Sequence, residues 1–167
     1  MARMTDPREL FLRELGDVLF VEQTLARVLP ELRSESSDEE LARGFGEHLE
    51  ETRVHARNVQ AAFAEMAEPA RTEACPGIEG LRREHDEFVA REEPSADILD
   101  IFNTGSGARS EHYEIAAYTG LVIAARALGE TRVAELLEEN LRDEEMMLER
   151  LETIAERLAR QAPAAAG

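Results

Sequence analysis

Four stretches of this chain repeat apolar residues at alternating steps of three and four. That spacing calls for helices packed along one face. The first runs through Phe11, Leu15, Val18, Glu22, Leu25, Leu29 and Leu32, the second through Leu41, Phe45, His48, Thr52, His55, Val59, Ala62 and Met66. The third runs through Glu111, Glu114, Tyr118, Leu121, Ala125 and Leu128, the fourth through Val133, Leu137, Leu141, Glu144, Leu148, Leu151, Ala155 and Leu158. No strand-like alternation competes with them.

Local signals punctuate the stripes. Asp6-Pro7 predicts a helix start, with an acid as cap and a proline in the first turn. Pro30 predicts an end or a kink, and residues 33–37 a loop. Ser37 with Glu40 three residues on predicts a capping box. Pro69 closes the second helix, and Gly129 stops the third. In the long connection, Cys75-Pro76-Gly77 reads as a turn and residues 78–91 as a short helix. Pro94-Ser95 breaks it, residues 98–102 give one or two more turns, and Gly105 and Gly107 punctuate again. The expected fold is all-α: two helical hairpins joined by a long helical crossover between helices two and three, the connectivity of a ferritin-like four-helix bundle. Residues 1–160 are expected to form one domain and 161–167 a flexible tail.

Composition narrows the function. The chain has 167 residues, with 36 acidic against 19 basic and a net charge of −17. An acidic surface argues against binding nucleic acid or an anionic membrane, because both need a basic face. Every basic residue is arginine, which removes Schiff-base and P-loop lysine chemistry. A charged beginning and the lack of any run of ~18 apolar residues predict neither signal peptide nor membrane span. One cysteine, Cys75, cannot form an internal disulfide, which suits a reducing compartment and a cytoplasmic location. Cys75 is read as inert, Met146 and Met147 as gap fillers and His85 as a surface residue.

The informative feature is the set of acids inside the apolar seams. Glu22 interrupts the first seam, Glu111 and Glu114 the third and Glu144 the fourth, while Glu51 borders the second between His48 and His55. An ionised carboxylate in a helical core is costly unless it is paired or bound to a cation. Glu22 lies 13 residues before position 35 and Glu51 lies 14 after position 37; Glu114 and Glu144 each lie 15 from Gly129. At ~1.5 Å per residue these four fall at similar heights. Four such carboxylates can supply oxygen ligands to two metal ions. Glu111 and His55 sit about one turn further on, where either could complete the coordination. His48 and Tyr118 fit beside the ligands as hydrogen-bonding neighbours. The usual Glu-x-x-His motif of such bundles is absent: His48-x-x-Glu51 is reversed and Glu51-x-x-x-His55 is one residue longer.

Several segments together resemble the YciE/YciF-type ferritin-like family. They are His48-Leu49-Glu50-Glu51-Thr52, Cys75 followed by Glu79-Gly80-Leu81, Glu111-His112-Tyr113-Glu114-Ile115-Ala116-Ala117-Tyr118 and the stretch from Leu141 to Glu144. Asp17 and Val21-Glu22-Gln23 fit the family's first helix. The resemblance spans about residues 8–155. It implies a helical bundle, often dimeric, with a dinuclear iron site and a link to bacterial stress responses. It also implies Glu22, Glu51, Glu114 and Glu144 as ligands, with Glu111 as a further one. The chain departs from the family pattern at Phe20 (usually Tyr), at His55 (usually Gln) and at Leu148 (usually an acid). Gly105, Gly107 and Ala108 also replace a more helical stretch.

Two functional expectations follow. The first is a protein holding two iron ions, or manganese on the same ligands, that reacts with O2 or peroxide with oxidase- or peroxidase-type chemistry. The second is a non-enzymatic homodimer acting as a stress-associated binding or scaffold protein, with a structural or vestigial metal.

Overall fold

The computed structural model describes residues 3–161, which form five α helices. They are α1 (Pro7–Glu35), α2 (Glu39–Glu65), α3 (Pro76–Glu92), α4 (Ala96–Ala127) and α5 (Thr131–Gln161). No strand occurs among the described residues. None of the described helices is long and apolar enough to cross a membrane. The expected tail begins at Gln161, which the structure makes the last residue of α5; residues 162–167 lie outside the described residues.

Four long helices pack in a ring, α1 against α2, α2 against α5, α5 against α4 and α4 against α1. The apolar stripes meet inside it. One cluster gathers Phe11, Leu15, Leu19, Val59, Phe63, Leu121 and Leu137, and another Leu25, Leu29, Phe45, Ile78, Leu151 and Ile154. The polar seam residues lie along the same inner faces.

Helix α1 runs through Pro30 to Glu35 rather than ending early. Pro30 is on the exposed side while Leu29 and Leu32 are buried. Burial of the stripe therefore carries the helix across the single backbone bond that a proline removes. Asp38, not Ser37, caps α2: its Oδ1 accepts from the Leu41 amide at 2.9 Å. Ser37 is engaged elsewhere. Buried Asp100 on α4 accepts from the Ser37 amide at 3.0 Å, the Ser37 hydroxyl at 2.5 Å and the Asp38 amide at 2.9 Å. Arg157 forks onto Asp38 at 2.7 and 2.9 Å and holds its carboxyl below the usual range. The first turns of α2 and α4 and the end of α5 are thus tied together.

The crossover is more helical than expected. Pro76-Gly77 is not a turn but the first turn of α3, with Cys75 as N-cap, a position that suits proline. The ring of Tyr113 occupies the space a side chain at Gly77 would need, 2.6 Å from an ideal Cβ. Gly105 and Gly107 do not interrupt α4. Gly107 faces α5, where a Cβ would meet Leu151 Cδ1 at 2.9 Å, so its bareness serves close helix approach rather than a turn. The stop at Gly129 is a left-handed residue with φ +80°. Its amide donates to Arg126 O at 3.1 Å and the next amide to Ala125 O at 2.9 Å, which satisfies two carbonyls at the end of α4.

His85 is not a surface residue. It is buried, shares a hydrogen bond with Asn103 Oδ1 at 3.1 Å and lies against Phe102. Met147 fills the core as expected, but Met146 is 58% exposed. Cys75 is buried, 3.0 Å from the Tyr113 hydroxyl; burial and the nearby Asp17 push its thiol up, as an inert cysteine requires.

Asp100→Ala removes the acceptor for two backbone amides and a hydroxyl. It is expected to lower stability by about 2 kcal/mol, whereas Asp97→Ala, at an exposed acid three residues earlier in α4, changes it by less than about 0.5 kcal/mol. Urea unfolding of both variants checks this.

Candidate metal centre

The seam polar residues converge where α1, α2, α4 and α5 meet. Helix α1 contributes Glu22, α2 contributes His48 and His55, α4 contributes Glu111, Glu114 and Tyr118, and α5 contributes Glu144. All seven are buried, at no more than 3% exposure. Two groups of atoms suited to metal binding form there. His48, Glu111, Glu114 and Glu144 make one and Glu22, His55 and Glu144 the other, with all ligand atoms of a group within 4.8 Å of one another.

Glu144 belongs to both groups and turns one oxygen to each histidine. Its Oε2 is 3.4 Å from His48 Nε2 and its Oε1 is 2.8 Å from His55 Nδ1. Glu111 Oε1 lies 3.5 Å from His48 Nε2, and Glu22 Oε1 3.6 Å from His55 Nδ1. The outer nitrogens of the rings meet other acids. His48 Nδ1 is 3.1 Å from Glu51 and His55 Nε2 is 3.2 Å from Asp143. Tyr118 donates a short hydrogen bond to Glu22 and accepts one from Asn140 Nδ2 at 2.9 Å. Asn140 in turn accepts from Asn58 at 2.8 Å.

Several of these oxygens lack protein partners. Both oxygens of Glu114, both of Glu144, and one each of Glu22 and Glu111 are buried without a hydrogen bond, as is His55 Nδ1, whose short contact with Glu144 is out of line for one. Buried polar atoms are nearly always satisfied, so this many in one place calls for a ligand or a proton. Without a cation the centre holds protons. Burial, reinforced by the Glu144 charge, raises Glu22 to about 8. The same two causes lift Glu111 and Glu114 well above the usual carboxylate range. Burial pulls the His55 imidazole down, but the adjoining Glu144 and Glu22 carboxylates outweigh it and raise it to about 9. Burial also pushes Glu144 up, yet His55 and His48 beside it bring it below its ordinary value. The donor set of carboxylate oxygens with two imidazole nitrogens suits a divalent first-row metal.

The site residues expected from sequence do not all share one position. Glu22, Glu111, Glu114, Glu144 and His55 come together. His48 points Nε2 among the carboxylates instead of standing behind them. Glu51 lies outside both groups, with its side chain 41% exposed and its carboxylate on His48, whose hydrogen bond lowers its pKa. Tyr118 is beside Glu22. Asn140 and Asp143 were not anticipated. Asn140 lies four residues before Glu144 and so on the same helix face, a signal that spacing does carry; Asp143 reaches His55 only because α5 packs on α2, which no local pattern states.

Comparison with known proteins places this arrangement. Residues 6–164 match the family described as Domain of unknown function (DUF892). The chain belongs to the DUF892 family. Protein YciF of Escherichia coli K12 is 32% identical over 137 residues, covering 81% of this chain and 82% of that one. The crystal structure of the E. coli stress protein YciF superposes with a TM-score of 0.89 at 28% identity, over 95% of this chain and all of the other. YcfI from Rhodopseudomonas palustris gives 0.88 at 29% identity, over 92% and 98%. A protein from Xanthomonas campestris pv. campestris gives 0.74 at 25%, over 92% and 94%. This DUF892 chain therefore shares its whole helical arrangement with YciF.

The protonated centre fixes a pH dependence. Glu22 has a folded pKa raised to about 8 from 4.5, so its proton stabilises the folded state relative to an ionised one, and that advantage disappears as pH rises through the interval. His55, raised from 6.5 to about 9, loses its contribution over a higher but overlapping range. The metal-free protein should lose on the order of 1 kcal/mol per pH unit between about pH 5 and 9. Urea midpoints across this range check it; stability that climbs instead would contradict a proton-held centre.

Proposed function

We propose that this chain is a ferritin-like four-helix bundle that binds two iron ions, or manganese on the same ligands, and uses them against O2 or peroxide in a stress response. The observation that carries the reading is Glu144, which turns one oxygen to each of the two histidines. A carboxylate so placed could serve as a ligand in both groups. The unsatisfied oxygens of Glu22, Glu111 and Glu114 support it, because a metal would satisfy them together. The likeness to the E. coli stress protein YciF supports the physiological setting.

Bound iron would supply one electron from each of two ions to the oxidant, the chemistry for which hard carboxylate ligands stabilise the oxidised metal. The chain's own residues set the conditions. Glu114 and Glu111 bring negative charge from α4, Glu22 brings it from α1, and the apolar clusters on either side exclude bulk water. Tyr118 holds its hydroxyl hydrogen on Glu22 and so fixes the orientation of that carboxylate. Protons held by Glu22, Glu111, Glu114 and His55 must leave when cations arrive, so metal affinity rises with pH. The protein acts as a homodimer in this reading, and the elution volume of the native chain tests that directly.

Anaerobic reconstitution with Fe(II) should give about two ions per chain. Glu144→Ala should lower this to about one or fewer, since the shared ligand is lost from both positions. Chelation should lower the unfolding midpoint of the native protein, and lower that of Glu144→Ala by less. Absence of both iron and manganese, with Glu144→Ala as stable as the native chain or more so, would overturn the reading and leave the binding or scaffold role.

A further inference from the structure

The two histidines face the centre with different nitrogens. His48 turns Nε2 toward Glu111 and Glu144, at 3.5 and 3.4 Å, and leaves Nδ1 on Glu51 at 3.1 Å. His55 does the reverse: Nδ1 is 2.8 Å from Glu144 and 3.6 Å from Glu22, while Nε2 is on Asp143 at 3.2 Å. A neutral imidazole carries one N–H and one lone pair, and an ionised carboxylate can only accept. With a cation on the inner carboxylates, the ring nitrogen that meets the outer carboxylate would keep its hydrogen and the lone pair would be left on the inner nitrogen.

Glu51 and Asp143 suit that task and not ligation. Their side chains are 41% and 36% exposed, against 4% or less for Glu22, Glu111 and Glu144. Neither belongs to the two groups of converging ligand atoms. Both are placed by helix geometry. Glu51 is three residues after His48, hence on its face of α2. Asp143 directly precedes Glu144, so one short stretch of α5 sends one acid into the centre and the next to the outer side of His55.

We propose that Glu51 and Asp143 are positioning residues that set opposite tautomers, so that His48 meets a metal through Nε2 and His55 through Nδ1. The inference rests on the dinuclear reading above. It makes the two positions inequivalent: each has its own histidine nitrogen and its own outer carboxylate, and Glu144 is common to both.

The test loads the full-length chain, labelled with 15N-histidine, with Zn(II) as a diamagnetic probe. Long-range proton–nitrogen spectra should show His48 with Nδ1–H and a ligated Nε2, and His55 with Nε2–H and a ligated Nδ1. Glu51→Ala and Asp143→Ala should each weaken zinc binding about 10–100-fold with the number of bound ions unchanged. In each variant only the ring that lost its partner should show a mixture of tautomers. Both rings ligated through the same kind of nitrogen in the native chain would overturn the inference without recourse to any variant. So would loss of a whole ion in Glu51→Ala, which would make Glu51 a ligand, or native affinity and native tautomers in both variants. A native chain that takes up neither zinc nor iron fails the dinuclear reading itself, a result distinct from these.

Discussion

Like charge brought together out of water is the constraint around which this protein is organised. Glu22, Glu111, Glu114 and Glu144 approach one another in a helical core where a single uncompensated carboxylate is already expensive. Repulsion is relieved in two ways visible in the structure. His55 and His48 place nitrogen beside Glu144, and the remaining acids retain protons at pH values where an exposed glutamate has lost them. Apolar clusters on either side of this layer supply the burial that holds it shut. Stability is thereby diverted into keeping ligand atoms close in advance of any ligand.

Hydrogen bonds around the centre are graded from inside to outside. The innermost atoms are carboxylate oxygens without a hydrogen-bond partner together with the inner nitrogens of His48 and His55, behind them stand the Tyr118 hydroxyl and the buried Asn140 amide, and on the outside are the partly exposed Glu51 and Asp143. A site built this way could offer its unpartnered atoms to a cation, while its internal bonds fix orientation. The same division explains why Tyr118, though wholly buried, cannot be regarded as core packing alone. Its hydroxyl is held between an acceptor, Glu22, and a donor, Asn140.

The helices were legible in the sequence because burial enforces their period. Stripes such as Leu15, Val18, Glu22 and Leu25 keep their face whatever their partner, and counting from the loops was enough to bring Glu22, Glu114 and Glu144 to one level. Local punctuation was less reliable where tertiary packing outvoted it. Pro30 and Gly107 read as breaks, yet Leu32 and Leu151 reward continuing the helix. Ser37 read as a cap until Asp100, 63 residues away, claimed its hydroxyl. The stripe through Leu41, Phe45, His48 and Val59 already put His48 in the seam and Glu51 at its border. Counting heights nonetheless favoured Glu51 as the ligand, because height along the axis says nothing of direction around it.

The connectivity has a consequence for how the centre comes into being. Each short loop, at 36–38 and 128–130, lets one hairpin close through contacts near in sequence. Yet α1 and α2 hold only Glu22, His48 and His55, and α4 and α5 hold only Glu111, Glu114 and Glu144. Neither half carries a full set of donors, and neither confronts the whole crowd of acids while it forms. The crowding arises at the moment the halves dock, so a cation arriving then would act as a clasp between them, and the strength of the join between the two hairpins would follow the supply of metal.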